Sequence, residues 1–280
     1  MKHIIQWQIA LLSVIVFLPN ITKAQTDSST TTNKLIASVS YQTNLHFFGR
    51  TDSLQSSGMF PSIGFELKNG FYANGNFIFF RNAITPLTYT GTTIEAGYRF
   101  KETKHFNGNV FYSQILYKDQ SVLVQSALKS QTGINVAYTN SFVNINVGAD
   151  LKFSNKTDVG ATGGFDHLFI YNKGMNNMAI AINPSFYIYA GTQNFSDVIG
   201  KNRNIVGVPI TEEKTKQSTR FNILAYEVSM PIVFVAGKFN ASISPSYVMP
   251  QNLITVKNNA SLSERGSNMF YATFSLGLRL

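Results

Sequence analysis

Phe270-Tyr271-Ala272-Thr273-Phe274-Ser275-Leu276-Gly277-Leu278-Arg279-Leu280 ends the sequence, and it alternates apolar with polar or small residues throughout. With a side-chain period of two, Phe270, Ala272, Phe274, Leu276, Leu278 and Leu280 share one strand face, and Tyr271, Thr273, Ser275, Gly277 and Arg279 share the other. A soluble domain seldom ends on a strand with a wholly apolar face. A strand that meets lipid outside and a polar lumen inside does.

The same alternation recurs upstream. Segments at about 35–43, 60–67, 71–80, 92–100, 108–117, 132–138, 143–153, 161–171, 178–190, 222–232 and 239–247 read as strands, with Asn69-Gly70 as the strongest turn signal between two of them. With the terminal segment this predicts an all-β fold, a transmembrane antiparallel up-and-down β-barrel of about twelve strands, the range being ten to fourteen. Counted from the first, odd connections are long and polar and even ones mostly short, which is the asymmetry of barrels with short periplasmic turns and longer outside loops.

Composition agrees with a membrane barrel. Charged residues make up only 13% of the chain, against about 25% in an ordinary soluble domain, while aromatics reach 13%. No apolar run after the amino-terminal region approaches the roughly 20 residues of a membrane helix. Residues 1–24 have the layout of a secretory signal peptide: Lys2, an apolar core at 9–18, and a cleavage point after Ala24. Residues 25–33 then form a flexible polar leader and 34–280 the barrel. With no Cys, the chain has neither a disulfide framework nor a lipid-attachment cysteine.

The net charge of +9 falls to about +7 when Lys2 and Lys23 leave with the signal. The basic residues are scattered singly, which argues against nucleic acid as a partner and for either anionic lipopolysaccharide at the loop tips or an anion-favouring lumen. The expected partners are outer-membrane lipids and lipopolysaccharide, with periplasmic chaperones and the barrel-assembly machinery during biogenesis.

Phasing the strands by their apolar faces sorts the charges. Ile94, Ala96, Tyr98 and Phe100, then Val143, Ile145, Val147, Ala149 and Leu151, then Tyr226, Val228 and Met230 are expected to face lipid. Their alternates leave Glu66, Glu95, Arg99, Asp150, Lys152, Asp166, Glu227 and Arg279 lining the lumen. A basic residue at mid-depth on the lipid face would cost roughly 2–4 kcal/mol, so this sorting supports the phasing. Glu66, Arg99 and Arg279 fall near the periplasmic ends and Glu95, Asp166 and Glu227 nearer the middle. The central acids read either as a cation-favouring constriction or as members of a paired network filling the barrel.

Catalytic and metal signals are weak. Ser126 and Lys129 have the bare spacing of a nucleophile pair without companion motifs. His46, near Asp52 and Ser53 in an outside loop, is the histidine best placed for surface hydrolysis; His105 falls in a periplasmic turn and His167 at a rim or lipid-facing position. No metal motif and no cofactor motif occurs. Gly160 to Gly164 reads as a strand kink, and the long connection 191–220 as a constriction, a lid or a partner surface.

The pieces NMFYATFSLGLRL (268–280), AYEVSMPI (225–232) and SISPSYVMPQN (242–252), with Gln25 after the cleavage point, resemble outer-membrane β-barrel proteins of Bacteroidota-type bacteria. The resemblance implies architecture and outer-membrane location, not an activity; Leu280 departs from the aromatic residue that more often ends such chains. The leading functional expectation is a narrow porin-like channel or passive transporter for small polar solutes, not an enzyme. The alternative is a closed structural or adhesive barrel whose loops bind partners, and the third is a barrel-borne lipid or peptide hydrolase.

Overall fold

The structure, a computed structural model, describes residues 32–51, 54–118, 128–154, 156–172, 177–194, 218–254 and 263–280. The strands are β1 (Lys34–Gln42), β2 (Ser57–Glu66), β3 (Phe71–Arg81), β4 (Thr88–Arg99), β5 (Phe106–Tyr117), β6 (Ser130–Tyr138), β7 (Asn144–Phe153), β8 (Thr157–Asp166), β9 (Phe169–Tyr171), β10 (Met178–Ile182), β11 (Ser185–Gly191), β12 (Asn222–Ser229), β13 (Ile232–Ala236), β14 (Phe239–Pro250) and β15 (Met269–Arg279). Each pairs antiparallel with its neighbours, and β1 pairs with β15 over Ile36↔Arg279 to Gln42↔Thr273, so the sheet closes on itself.

Fifteen segments make twelve staves, because β8 with β9, β10 with β11, and β12 with β13 each run on as one. The interruptions have a chemical cause. Pro184 and Pro231 stand in two of the gaps and Pro245 in the adjoining β14, and a proline offers no N–H to the ladder. Their carbonyls still accept: His167 N donates to Pro184 O (3.2 Å), Asn183 N to Pro231 O (3.0 Å) and Met230 N to Pro245 O (3.0 Å). The staves therefore bend without opening.

The outer face is an apolar band. Ile63, Phe71, Val147 and Phe274 are between 45% and 55% exposed, and Ile94, Ile145, Leu151, Val228 and Met230 are likewise exposed. In water such a surface would be an aggregation site; against hydrocarbon it is a solvation shell. Rings gather at the rim formed by the short turns, with Phe71 5.0 Å from Tyr98, Tyr98 6.1 Å from Phe100 and Phe106 5.2 Å from Tyr138. Amphipathic rings at headgroup depth anchor a barrel vertically.

At this turn end the connections are 67–70, 100–105, 139–143, 172–177 and 237–238. Gly70 (φ +96°) and Gly237 (φ +57°) take the left-handed backbone that the tight reversals require. The opposite, loop end carries 43–56, 82–87, 118–129, 154–156, 192–221 and 251–268. Connection 154–156 departs from the expected pattern of long odd loops, because β7 and β8 stay paired up to Phe153↔Thr157. Gly160 to Gly164 do not kink the strand either: β8 keeps an unbroken register with β7 through all of them. The missing side chains of Gly160 and Gly164 serve close approach instead, to Asp150 and Lys152 and to Tyr187.

Candidate functional site

The inward face is where chemistry can differ between barrels, and its two halves are built differently. In the turn-side half, Arg99 Nη1 donates to Glu66 Oε2 at 2.8 Å while its guanidinium lies over the Tyr72 ring, 5.1 Å from the centroid. Asn109 Nδ2 donates to the Tyr72 hydroxyl (3.0 Å), and Glu95 takes hydrogen bonds from Tyr72 and Asn74. Asp166 accepts from Asn144 (2.7 Å) and Asn146 (2.6 Å) in the same half, while nearer the loop end Glu227 accepts from the Tyr271 hydroxyl (2.9 Å). Lys152 pairs with Asp150, its neighbour on the same face of β7, at the loop end of that strand and 5.9 Å from the Phe48 ring centroid. Arg279 ends β15 and, with Glu66 and Arg99, lies near enough to Lys34 to act on its charge.

Glu95, Asp166 and Glu227 are not brought together. Each carboxylate has its own neutral donors, and among the described residues no three His, Asp or Glu side chains converge as a metal site would require. Asp166 ends β8 opposite Ser185, and Ser185 in turn faces Ser229, which places Asp166 nearer the turn end than Glu227.

Large inward side chains in this half lie flat along the wall. A Cβ on Gly97 would stand 2.6 Å from Cζ of Tyr72, and one on Gly133 2.8 Å from the Phe111 ring. Gly164 is covered by Tyr187, Gly148 by Asn135 and Gly64 by Asn74 in the same way. Glycine on one strand accepts the neighbour's side chain, so rings and amides cover the wall instead of crossing the bore. Asn74, Asn76, Asn109, Asn135, Asn144 and Asn146 accordingly remain half-exposed inside the barrel.

The loop-side half is filled by the described residues of the first loop, 43–51 and 54–56, which fold inward. Its tip is a miniature hairpin: Phe47 and Arg50 exchange backbone hydrogen bonds (both 2.9 Å), with Phe48 (φ 51°) and Gly49 (φ +75°) at the two left-handed positions that such a turn demands. Leu45 packs with Ile78, Phe80, Phe60 and Tyr117, and Phe47 with Ile115, Leu128 and Tyr117. Phe48 crosses to the far wall, where it joins Ala225, Val248 and Tyr271 and lies 5.1 Å from Tyr189. Burial of each large apolar side chain contributes roughly 1.5–3 kcal/mol, so three in one loop hold it firmly. A left-handed Phe costs of order 1 kcal/mol, which that packing offsets.

Arg50 fastens the loop. Nε donates to Glu264 Oε2 (3.0 Å), Nη1 to the carbonyls of Phe48 and Leu224 (both 3.1 Å), and Nη2 to Gln193 Oε1 (2.7 Å) and the Gln251 carbonyl (3.1 Å). Glu264 also accepts from Ile254 N (2.9 Å). One guanidinium thus joins the first loop, the start of the β11–β12 connection, β12 and the last loop, and both members of the ion pair are nearly buried.

His46 lies inside this plug. Its ring meets Tyr271 edge-on at 4.3 Å between centroids, Nδ1 accepts from Gly49 N (3.2 Å), and burial pushes its pKa down to about 4. This corrects the expectation of a histidine in an exposed outside loop, because the apolar neighbours Leu45, Phe47 and Phe48 draw the whole segment into the bore. Asp52, Ser53, Ser126 and most of the charged residues of 191–220 lie outside the described residues. His105 Nδ1 bonds Thr139 O (3.1 Å) in its turn, and His167 stands 4.4 Å from Phe169.

Arg50, Glu264 and Gln193 had no marker in the pattern of alternation. The run Leu45-His46-Phe47-Phe48 did carry one, since an apolar stretch in a solvated loop needs somewhere to be buried. No family model and no curated protein matches the chain. Among solved structures it is similar to a KdgM porin (TM-score 0.47, 9% identity, 88% of this chain and 98% of that one) and to LpxR from Salmonella typhimurium (0.48, 10%, 88% and 99%). A NanC porin is similar at TM-score 0.42 and 10% identity, over 87% of this chain and 97% of that one.

Proposed function

We propose that this chain is an outer-membrane barrel acting as a narrow porin-like channel, a passive route for small polar solutes, with its turn end in the periplasm and the first loop as its constriction. One observation carries the reading: the turn-side wall is polar and half-exposed because its large side chains lie over glycines, not across the bore. A barrel built only as a scaffold gains more from meeting those side chains in the centre, as the loop-side half does. Glu66, Glu95, Arg99, Asp150, Lys152, Asp166, Glu227 and Arg279 line the route in this reading. Their paired arrangement favours solutes of low net charge.

Cleavage near Ala24, passage with periplasmic chaperones, insertion by the barrel-assembly machinery and contact with lipopolysaccharide at the loop end belong to the same reading. The inward plug favours a second one, a closed barrel whose loops hold the function. Purified protein in planar bilayers and in solute-loaded liposomes separates the two. Small, steady currents and polar-solute flux are expected, and the absence of both overturns the channel.

A further inference from the structure

One side of the bore, where β1, β15 and β14 lie side by side, is lined by hydroxyls along its length, with Glu227 of the adjoining β12 held on Tyr271 at its inner end. The register places inward residues in rows. Ser38 stands level with Gly277 and Asn240, Ser40 with Ser275 and Ser242, Gln42 with Thr273 and Ser244, and Tyr271 with Ser246. Ser38 and Ser62 are 2.5 Å apart and Ser40 and Ser275 2.8 Å, so the lower rows are hydrogen-bonded across the strands. Lys34, Glu66 and Arg279 stand at its turn-end mouth.

Where this track meets the plug, the hydrogen bonding fails. Gln42 is fully buried and its Nε2 donates to Asn44 O (2.8 Å), but its Oε1 has no partner. Ser244, in the same row across Thr273, has an unpartnered Oγ. His46, seated on Tyr271 one row above, accepts at Nδ1, so its proton is on Nε2, and that atom also lacks a partner. Of the four buried side-chain atoms without a partner among the described residues, these three share one side of the interior. A buried orphan costs about 1–3 kcal/mol, so three on one side of the interior call for a partner.

We propose that Gln42, Thr273, Ser244 and His46 form a binding site for a small neutral hydroxylated molecule, water or a short polyol, at the inner end of a hydroxyl-lined track. The three orphans are complementary to a hydroxyl group: Gln42 Oε1 accepts, His46 Nε2–H donates and Ser244 Oγ does either. An ion would have to exchange its water there for the dipoles of Gln42, Thr273, Ser244 and His46, which disfavours charged solutes. The site rests on the channel reading and adds to it the class of solute and the wall along which it travels.

The test uses full-length protein in liposomes, with osmotic shrinkage in sucrose reporting water, re-swelling reporting glycerol, and planar-bilayer current in KCl recorded alongside. The variant Thr273→Val with Ser244→Ala removes two hydroxyls with little change of shape, and heat-modifiable gel migration verifies that it folds. Water or glycerol flux about tenfold slower with KCl current unchanged is the expected result, a factor that corresponds to one lost hydrogen bond. Slowing of water alone identifies water as the ligand; slowing of both admits the polyol. Undiminished flux of both overturns the site and leaves the channel standing. A wild-type protein passing neither ions nor solutes overturns the channel and the site with it.

Discussion

The two halves of the interior are walled by the same strands yet solve opposite problems. On the turn side, side chains lie along the wall over Gly97, Gly133, Gly148 and Gly164, and Asn74, Asn109 and Asn135 keep contact with water. On the loop side, Leu45, Phe47 and Phe48 fill the centre from a loop, and Ala225 and Val248 are wholly shielded. The contrast shows that bore diameter is not fixed by strand number alone. Twelve staves enclose a wet vestibule or a dry core according to whether side chains lie flat or a loop enters.

That contrast breaks most directly at Arg50. Arg50→Ala leaves Glu264 nearly buried without its cation and strands the carbonyls of Leu224 and Gln251, a loss of about 3–5 kcal/mol for a broken buried pair. The loop should leave the bore, so bilayer current should rise and the segment 43–56 should become the first site of protease cleavage. Current and cleavage unchanged from wild type would mean that apolar packing alone holds the plug.

Acid acts on the same element through His46. Its folded pKa of about 4 lies below the ordinary 6.5, so the unfolded loop takes up a proton before the folded one does. The plug's stability is therefore complete above pH 6.5 and falls as pH drops towards 4, by roughly 3 kcal/mol at about 1.4 kcal/mol per unit. Current recorded from pH 7 to 4.5 should increase, and His46→Phe should flatten the profile. A slope that persists in His46→Phe would assign it to other groups.

A smaller effect sharpens the wet half. Gly97→Val sets a side chain where the Tyr72 ring lies and against the Val110 carbonyl, forcing the ring off the wall and away from Asn109 and Glu95. Overpacking of this kind costs about 1–3 kcal/mol. Thermal unfolding in detergent should shift downward and current should fall, the opposite sign to Arg50→Ala. A rise in current would show that Tyr72 already narrows the bore from where it lies.

What the sequence disclosed follows from distance along the chain. Alternation is local, so the lipid face and about twelve staves were readable, and Asn69-Gly70 does turn between β2 and β3. The stave breaks beside Pro184 and Pro231 were signalled by the prolines, yet whether a missing N–H ends a strand or only bends it depends on the neighbouring stave. The plug was half visible as apolar residues in a loop. Its partners Ile115, Tyr189, Val248 and Glu264 come from distant segments, and only barrel closure brings them together. The same holds for the flat side chains, since a glycine covered by the next strand looks in sequence like any other strand glycine.

The smallest expected effect concerns two wall acids, Glu95 in the wet half and Glu227 beside the plug. Glu95→Gln and Glu227→Gln each keep an oxygen able to accept from Tyr72 or Tyr271 and remove one negative charge from the wall. Glu66 and Asp150 are paired with Arg99 and Lys152, whereas Glu95 and Glu227 take hydrogen bonds from neutral donors, so whatever charge they carry acts on the bore. Reversal potentials in a KCl gradient should therefore move towards anion preference, additively in the double variant, while stability and total current change little. A large drop in stability would mean that the two carboxylates hold the wall together. No shift in reversal potential would mean that ions pass clear of both carboxylates, and the comparison of halves would then have to become one of walls.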